Sequence, residues 1–302
     1  MVVRGLRLFV VAAGAVGGLS GATYGLLNGQ SRHARSVIGV PTEAPLNADG
    51  VYFPDGRYTP GGEADLTFAV FGDSSAAGVG AETTELLPGA LLARGLAEEM
   101  ERSVRLVTYA VSGATTPALT TQVNRALAAH RAPDLALVIV GGNDVTARLR
   151  VGVSAALLGE EVRRLRDAGT AVVVGTCPDL GAIRPIPQPL RSVARGWSLS
   201  LARAQRREVE RMGATAVAMA DLLSPEFLTR ATEFFSPDLF HPNGAGYEMA
   251  ANVLLAPLCA AAGMWPGGPL PTPPSRAATA EARRPTARVV SWLNGRLMRK
   301  SW

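Results

Sequence analysis

Five residues of this chain sit where acyl-transfer chemistry would need them. Ser74 lies in FGDSSAAGVG, Phe71 to Gly80, three residues past an apolar run and in a Gly- and Ala-rich turn that lets a substrate approach the backbone. A serine nucleophile needs a base, and the base needs a group to orient it. The chain has three histidines. His33 falls in a polar lead-in and His130 near a helix end before Pro133, which leaves His241, in SPDLFHPNGAGY, Ser236 to Tyr247. Asp238 precedes it by three positions, so one short loop supplies both an imidazole and a carboxylate able to hold its tautomer. A tetrahedral intermediate also requires donors aimed at its oxyanion. The backbone N–H of Gly113, in AVSGATT, and the side-chain amide of Asn143, in VGGND, are candidates. Each residue alone has a plainer reading: Ser74 as a helix N-cap, Asp238 or Asn243 as a cap of the last helix, Gly113 as a turn glycine, Asn143 as an Asx-turn former. Their joint occurrence after successive apolar runs is harder to assign to turn chemistry.

The elements that must position them alternate. Leu66–Phe71, Val104–Tyr109, Leu135–Val140, Ala171–Gly175 and Thr215–Met219 are five expected strands, separated by helix-length stretches such as Pro88–Arg102 and Gly159–Ala168. Short continuous apolar runs of this kind predict a parallel sheet covered on both faces. The last helix is expected over Gly244–Ala262. In open α/β sheets ligands sit at the carboxyl ends of the strands, which is where the five candidate residues fall. The globular domain is bounded at 64–264, behind a stretch, 36–63, whose Pro, Gly, Asp and Asn content reads as a tether.

The rest of the 302 residues says more about location than chemistry. Two cysteines and three histidines without a cluster exclude a disulfide framework and a structural zinc site. Cys177 and Cys259 read as small buried hydrophobes, their pairing undecided by sequence. The net charge of +5 comes from basic ends: Arg4, Arg7, Arg32 and Arg35 at one, and seven basic residues against Glu281 beyond position 275 at the other. The body between carries 19 basic and 24 acidic residues, so no basic stripe argues for nucleic acid. Arg4 and Arg7 precede the uncharged stretch 8–31, which within the segment 1–35 reads as an export signal, retained as a membrane anchor or cleaved, with a buried soluble helix as the other reading. The catalytic domain is then expected outside the cytoplasm, membrane-anchored or, after cleavage, secreted or wall-associated. Residues 265–302 are Pro-rich and then basic, an extended solvated tail or an amphipathic segment able to lie on anionic lipid.

Taken in order, FGDSS with Ser74, SGATT with Gly113, Gly141 to Asp144 with Asn143, and Asp238 to His241 resemble the four blocks of the SGNH (GDSL) hydrolase superfamily. GDSS stands where GDSL is usual, a departure outside the catalytic groups. The chain also looks like exported GDSL-type esterases of mycobacteria and related actinobacteria. The resemblance implies a flavodoxin-like three-layer α/β/α fold with a five-stranded parallel sheet. It implies a Ser74–His241–Asp238 triad, an oxyanion hole from Ser74, Gly113 and Asn143, and neither metal nor organic cofactor. Asp73 and Asp144 are expected to brace turns. A short-chain carboxylesterase is the first expectation; an O-acyltransferase or deacetylase acting on envelope glycans or glycolipids is the alternative. A non-catalytic binding module fits poorly with Ser74, Asp238 and His241 all being present.

Overall fold

The computed structural model describes residues 24–39 and 46–264. Its centre is a sheet in which β3 (Leu66–Gly72), β4 (Val104–Thr108), β5 (Leu135–Ile139), β6 (Ala171–Gly175) and β7 (Thr215–Val217) run parallel in the order β4-β3-β5-β6-β7. These are the five expected strands. The order reverses at β3: the next strand lies on one side of it and the third on the other. That opens a crevice at the carboxyl end of β3.

The period-two alternation of the strands divides the core. Phe68, Val70, Leu135 and Leu137 face one side, against α3 (Pro88–Met100) and α10 (Gly244–Ala261). Ala69, Phe71, Ala136 and Val138 face the other, against α4 (Leu119–Leu127), α6 (Val151–Asp167) and α7 (Leu190–Arg211). Both faces are therefore dry, which is why the strands read as unbroken apolar runs rather than alternating ones. Burying one Leu or Phe contributes about 1.5–3 kcal/mol, so these two layers hold the carboxyl-end turns in place.

Among the described residues the sheet has seven strands, two more than the five expected. The additional pair, β1 (Gly50–Tyr52) and β2 (Tyr58–Thr59), comes from the stretch read as a tether and lies antiparallel on the β4 edge. Strands of three and two residues are too short to show a period. What recruits them is the open edge of β4, whose unpaired backbone groups would otherwise meet solvent or another chain. Both Asp49 carboxylate oxygens accept from the Thr108 N–H, at 3.0 and 3.1 Å, and the Tyr52 and Tyr58 rings pack at 5.2 Å.

A further helix, α1, occupies residues 24–38 and leans on the domain. Its first part belongs to the uncharged stretch read as an export segment; the remainder of that reading, residues 1–23, and the tail reading, residues 265–302, lie outside the described residues. Among the described residues no helix is long and apolar enough to cross a membrane. Cys177 and Cys259 are both free and buried, in different apolar clusters.

Candidate active site

Ser74 opens the one-turn helix α2 (Ser74–Ala77) directly after β3. The turn that presents it to the cavity is built on Gly72, at φ +135°, where an added Cβ would overlap the Ile139 carbonyl oxygen of the adjacent strand. No side chain fits there. Gln122, buried on α4, clamps the same residue: it accepts from the Gly72 N–H and donates to the Gly72 carbonyl, both at 2.8 Å. Asp73 caps α2 by accepting from the Ser75 N–H at 3.0 Å. Burial pushes the Asp73 carboxyl up to about 6, with nearby Asp144 adding to the effect and the Ser75 and Gly141 N–H groups and His241 opposing it. Asp144 holds the facing turn by accepting from Thr116, at 2.8 Å from its N–H and again from its hydroxyl. The bracing expected of both aspartates is what the structure shows.

His241 reaches Ser74 from the loop before α10. Its Nε2 lies 3.0 Å from Ser74 Oγ and its Nδ1 2.6 Å from Asp238 Oδ2. The loop closes on itself: Ser236 N–H donates to the His241 carbonyl at 2.8 Å, and Leu239, at φ +54°, turns the chain back between Asp238 and His241. Asp238 Oδ1 accepts three further bonds, from Ser236 Oγ at 2.7 Å, Phe240 N–H at 2.8 Å and His241 N–H at 2.9 Å. Burial works against the charge of Asp238, but the His241 ring and these donors outweigh it and hold the carboxyl well below the usual carboxylate range. Asp238 therefore stays ionised and acceptor-only beside the imidazole. The Phe240 ring stands edge-on to the imidazole at 4.8 Å and limits its rotation.

The approach of the two loops depends on Gly80, at φ +98°. A Cβ there would overlap the Pro242 carbonyl oxygen and stand 3.1 Å from His241 Cβ. Tyr247, from α10, ties the same loop by donating to the Val79 carbonyl at 2.6 Å. Gly80→Ala should push the histidine loop away from Ser74. Because a displacement of about 1 Å at reacting groups costs on the order of a hundredfold in rate, kcat should fall about 10- to 100-fold, with Tm lowered. Gly61→Ala, in open space, should leave both unchanged. Equal kcat for the two variants in an ester-hydrolysis assay would refute this role for Gly80.

Asn143 sits in the short helix α5 (Gly142–Thr146), where its amide donates to the Ala114 carbonyl at 3.1 Å. Gly113 is the exposed residue just before Ala114, so Asn143 joins the two turns expected to supply oxyanion donors. Ser74 and Asn143 both line a cavity of ≈110 Å³. Its walls are mostly apolar, with Ile139, Leu180, Ile183, Met219, Phe227 and Leu254 among them. Asp179 is a charged exception, already engaged by the Gly181 N–H at 2.8 Å, Ser224 Oγ at 3.2 Å and, as an ion-pair contact rather than a linear hydrogen bond, Arg195 Nε at 3.1 Å. Burial raises its carboxyl despite these partners.

The structure thus joins Ser74, His241 and Asp238, sets Asn143 on the same cavity and leaves Gly113 one residue from Asn143's acceptor. His33 and His130 are exposed, away from the site. Sequence reasoning missed the clamps. Besides Gln122, buried Gln205 accepts from the Cys177 N–H at 2.7 Å and donates to the Val140 carbonyl at 2.9 Å, pinning the turns after β5 and β6 together. An uncharged amide deep in a helix has no spacing signal that would reveal such a partner.

A parallel α/β sheet carrying a serine at its first carboxyl-end turn, with the histidine loop before the last helix, defines an SGNH-type serine hydrolase acting on ester bonds. The chain belongs to the GDSL-like lipase/acylhydrolase family, whose model matches residues 70–249. It is 42% identical over 262 residues, 84% of this chain and 83% of the relative, to the GDSL-like esterase Rv1075c of Mycobacterium tuberculosis. Among solved structures, an acetyl-xylooligosaccharide esterase of Geobacillus is similar in fold, with a TM-score of 0.52 at 17% identity over 66% of this chain and 95% of that one. So is an α/β hydrolase from the metagenome of Lake Arreo, Spain, with a TM-score of 0.51 at 22% identity over 67% and 96%.

Proposed function

We propose that this protein is an exported carboxylesterase that hydrolyses short-chain acyl esters through an acyl-serine. The observation that carries the reading is the bonded chain Ser74–His241–Asp238 ending at an apolar cavity of ≈110 Å³. Ser74 Oγ attacks the acyl carbonyl as His241 Nε2 takes its proton. The Ser74 and Gly113 N–H groups and the Asn143 amide hold the oxyanion, each such donor supplying on the order of 10²–10³ in rate. Collapse of the intermediate expels the alcohol, which receives the proton from His241. Water, deprotonated by the same nitrogen, then releases the carboxylic acid.

The cavity sets the acyl preference. An apolar cavity of about 150 Å³ takes a benzene ring, and the smaller size of this one supports acyl chains of up to about six carbons. Export rests on Arg4 and Arg7 ahead of the uncharged stretch 8–31. Retention of that segment would keep the enzyme at the membrane surface, in reach of envelope lipid and glycan esters.

The test is a series of p-nitrophenyl esters from acetate to palmitate with the full chain in detergent, beside the same acyl groups on a membrane-impermeant alcohol given to intact expressing cells. The expected result is a kcat/KM maximum between acetate and hexanoate, at least about tenfold above palmitate, with hydrolysis by the intact cells. Uniform rates along the series would remove the short-chain assignment, and activity only after lysis would remove export. Transfer to an added sugar hydroxyl in preference to water would replace hydrolysis with acyl transfer.

A further inference from the structure

We propose that α1 is a positioning element of the active site, holding from outside the two segments that supply Asn143 and the Ile183 wall of the cavity. The inference rests on the esterase reading of that cavity. It begins with the helix's own pattern: Leu27, Asn28, Gln30, Ser31, Ala34 and Ile38 are its inward residues, Ala34 fully so, while Arg32 and Val37 face solvent. Ala34 and Ile38 join the apolar cluster that contains Val145 of α5 and Ile183 and Ile186 of the segment before α7.

Polar contacts fix the register. The Gln30 amide donates to the Gln188 carbonyl at 2.5 Å and accepts from the Leu190 N–H at 3.1 Å, an arrangement that tolerates no sliding. Arg35 donates to the Thr146 carbonyl at 3.2 Å, and Asn28 accepts from Arg148 at 2.5 Å. Each of these partners belongs to, or directly follows, an element with a group at the site. Thr146 and Arg148 end the turn that begins with Asn143; Gln188 and Leu190 end the segment that begins with Leu180 and Ile183 of the cavity wall. Without α1, Val145, Ile183 and Ile186 would lose an apolar neighbour and the two segments their external ties. A leader or tether would not need such ties. Cleavage of the chain anywhere between α1 and its N-terminal side leaves the strap in place; cleavage after it would remove a part of the catalytic unit.

The experiment keeps the full chain in detergent and compares Ala34→Glu, which places a charge in the docked face, and Gln30→Ala with Arg32→Ala on the outward face. Leu165→Ala, beneath the opposite side of the sheet, serves as a generally destabilised reference. Two readouts are taken: kcat/KM for butyrate and octanoate esters, and amide hydrogen exchange of 143–149 and 180–190. Ala34→Glu should lower butyrate kcat/KM at least tenfold, shrink the butyrate-to-octanoate ratio and speed exchange in both segments at least tenfold. Gln30→Ala should act in the same direction, mainly at 188–190, and Arg32→Ala should match the wild type. Leu165→Ala should lower Tm without moving the ester ratio. Wild-type rates and protection in Ala34→Glu overturn the proposal, and so does a loss with an unchanged ester ratio like that of Leu165→Ala. Should Ala34→Glu fail to fold, Gln30→Ala decides by the same criteria. A wild type inactive on every ester removes the esterase reading instead, while the exchange measurement still decides whether α1 holds these segments.

Discussion

Ser74→Ala is expected to lower kcat on the preferred ester by about 10⁵- to 10⁶-fold, and His241→Ala by a similar factor, with the double variant no worse than either. In the proposed mechanism nucleophile and base act as one unit, with the 3.0 Å bond between Ser74 Oγ and His241 Nε2 as the path along which the proton would leave. Once either end is missing, the other has nothing to act on. What survives is the rate supplied by binding and the oxyanion donors, on the order of 10³ over water. The variants should remain folded, since Gly72 is held by Gln122 and the histidine loop by its own Ser236–His241 and Asn243–Phe234 bonds, none of which uses the two side chains. Steady-state kinetics beside thermal unfolding separates the effects. A Ser74→Ala protein retaining more than about a hundredth of wild-type kcat would show that another group is the nucleophile.

The alternative mechanism most worth excluding in that case is a thiol. Cys177 follows β6 near the site, but burial and the charges of Asp73, Asp144 and Asp179 push its thiol well up, away from the reactive thiolate. Cys259 is likewise raised by burial, to about 11. Both behave as packing atoms, as their sequence surroundings indicated.

How much was legible in the sequence follows from which forces act locally. The five strands and the last helix could be read because burial on both faces leaves a composition signal. The meeting of Ser74, His241 and Asp238 could be read because a serine at a strand end and an Asp and His three apart in one loop are the spacing a hydrogen-bonded set of this kind needs. The parts that could not be read depend on partners far away in the chain. Gln122 and Gln205 look like ordinary helix residues until their amides meet Gly72 and Val140, 50 and 65 positions off. The β1–β2 pair exists because β4 leaves an edge to cover, which no property of Gly50–Thr59 reveals. In α1 the absence of charge up to Ser31 reads as part of an export segment, and the contacts of Gln30 and Ala34 with the domain lie with partners far along the chain that no local spacing announces.

Asp238→Asn should cost about 10⁴ in kcat with little loss of stability, and the reason lies in the other bonds of this carboxylate. Oδ1 accepts from Ser236 Oγ, Phe240 N–H and His241 N–H, and only an oxygen can take those three donors. In the asparagine variant the amide oxygen must keep that place, which turns the NH₂ toward His241 Nδ1. Two donors cannot face one another, so the imidazole gives up its Nδ1 proton and carries it on Nε2 instead. Nε2 then donates to Ser74 Oγ, where the reaction needs it to accept, and the hydroxyl proton has nowhere to go. The loop survives because its bonds to Oδ1 survive. Asp238→Ala, which removes those as well, should lose a comparable rate and also lower Tm. Kinetics and thermal unfolding of the pair make the distinction: an asparagine variant within tenfold of wild-type kcat would mean that Asp238 serves only to shape the loop.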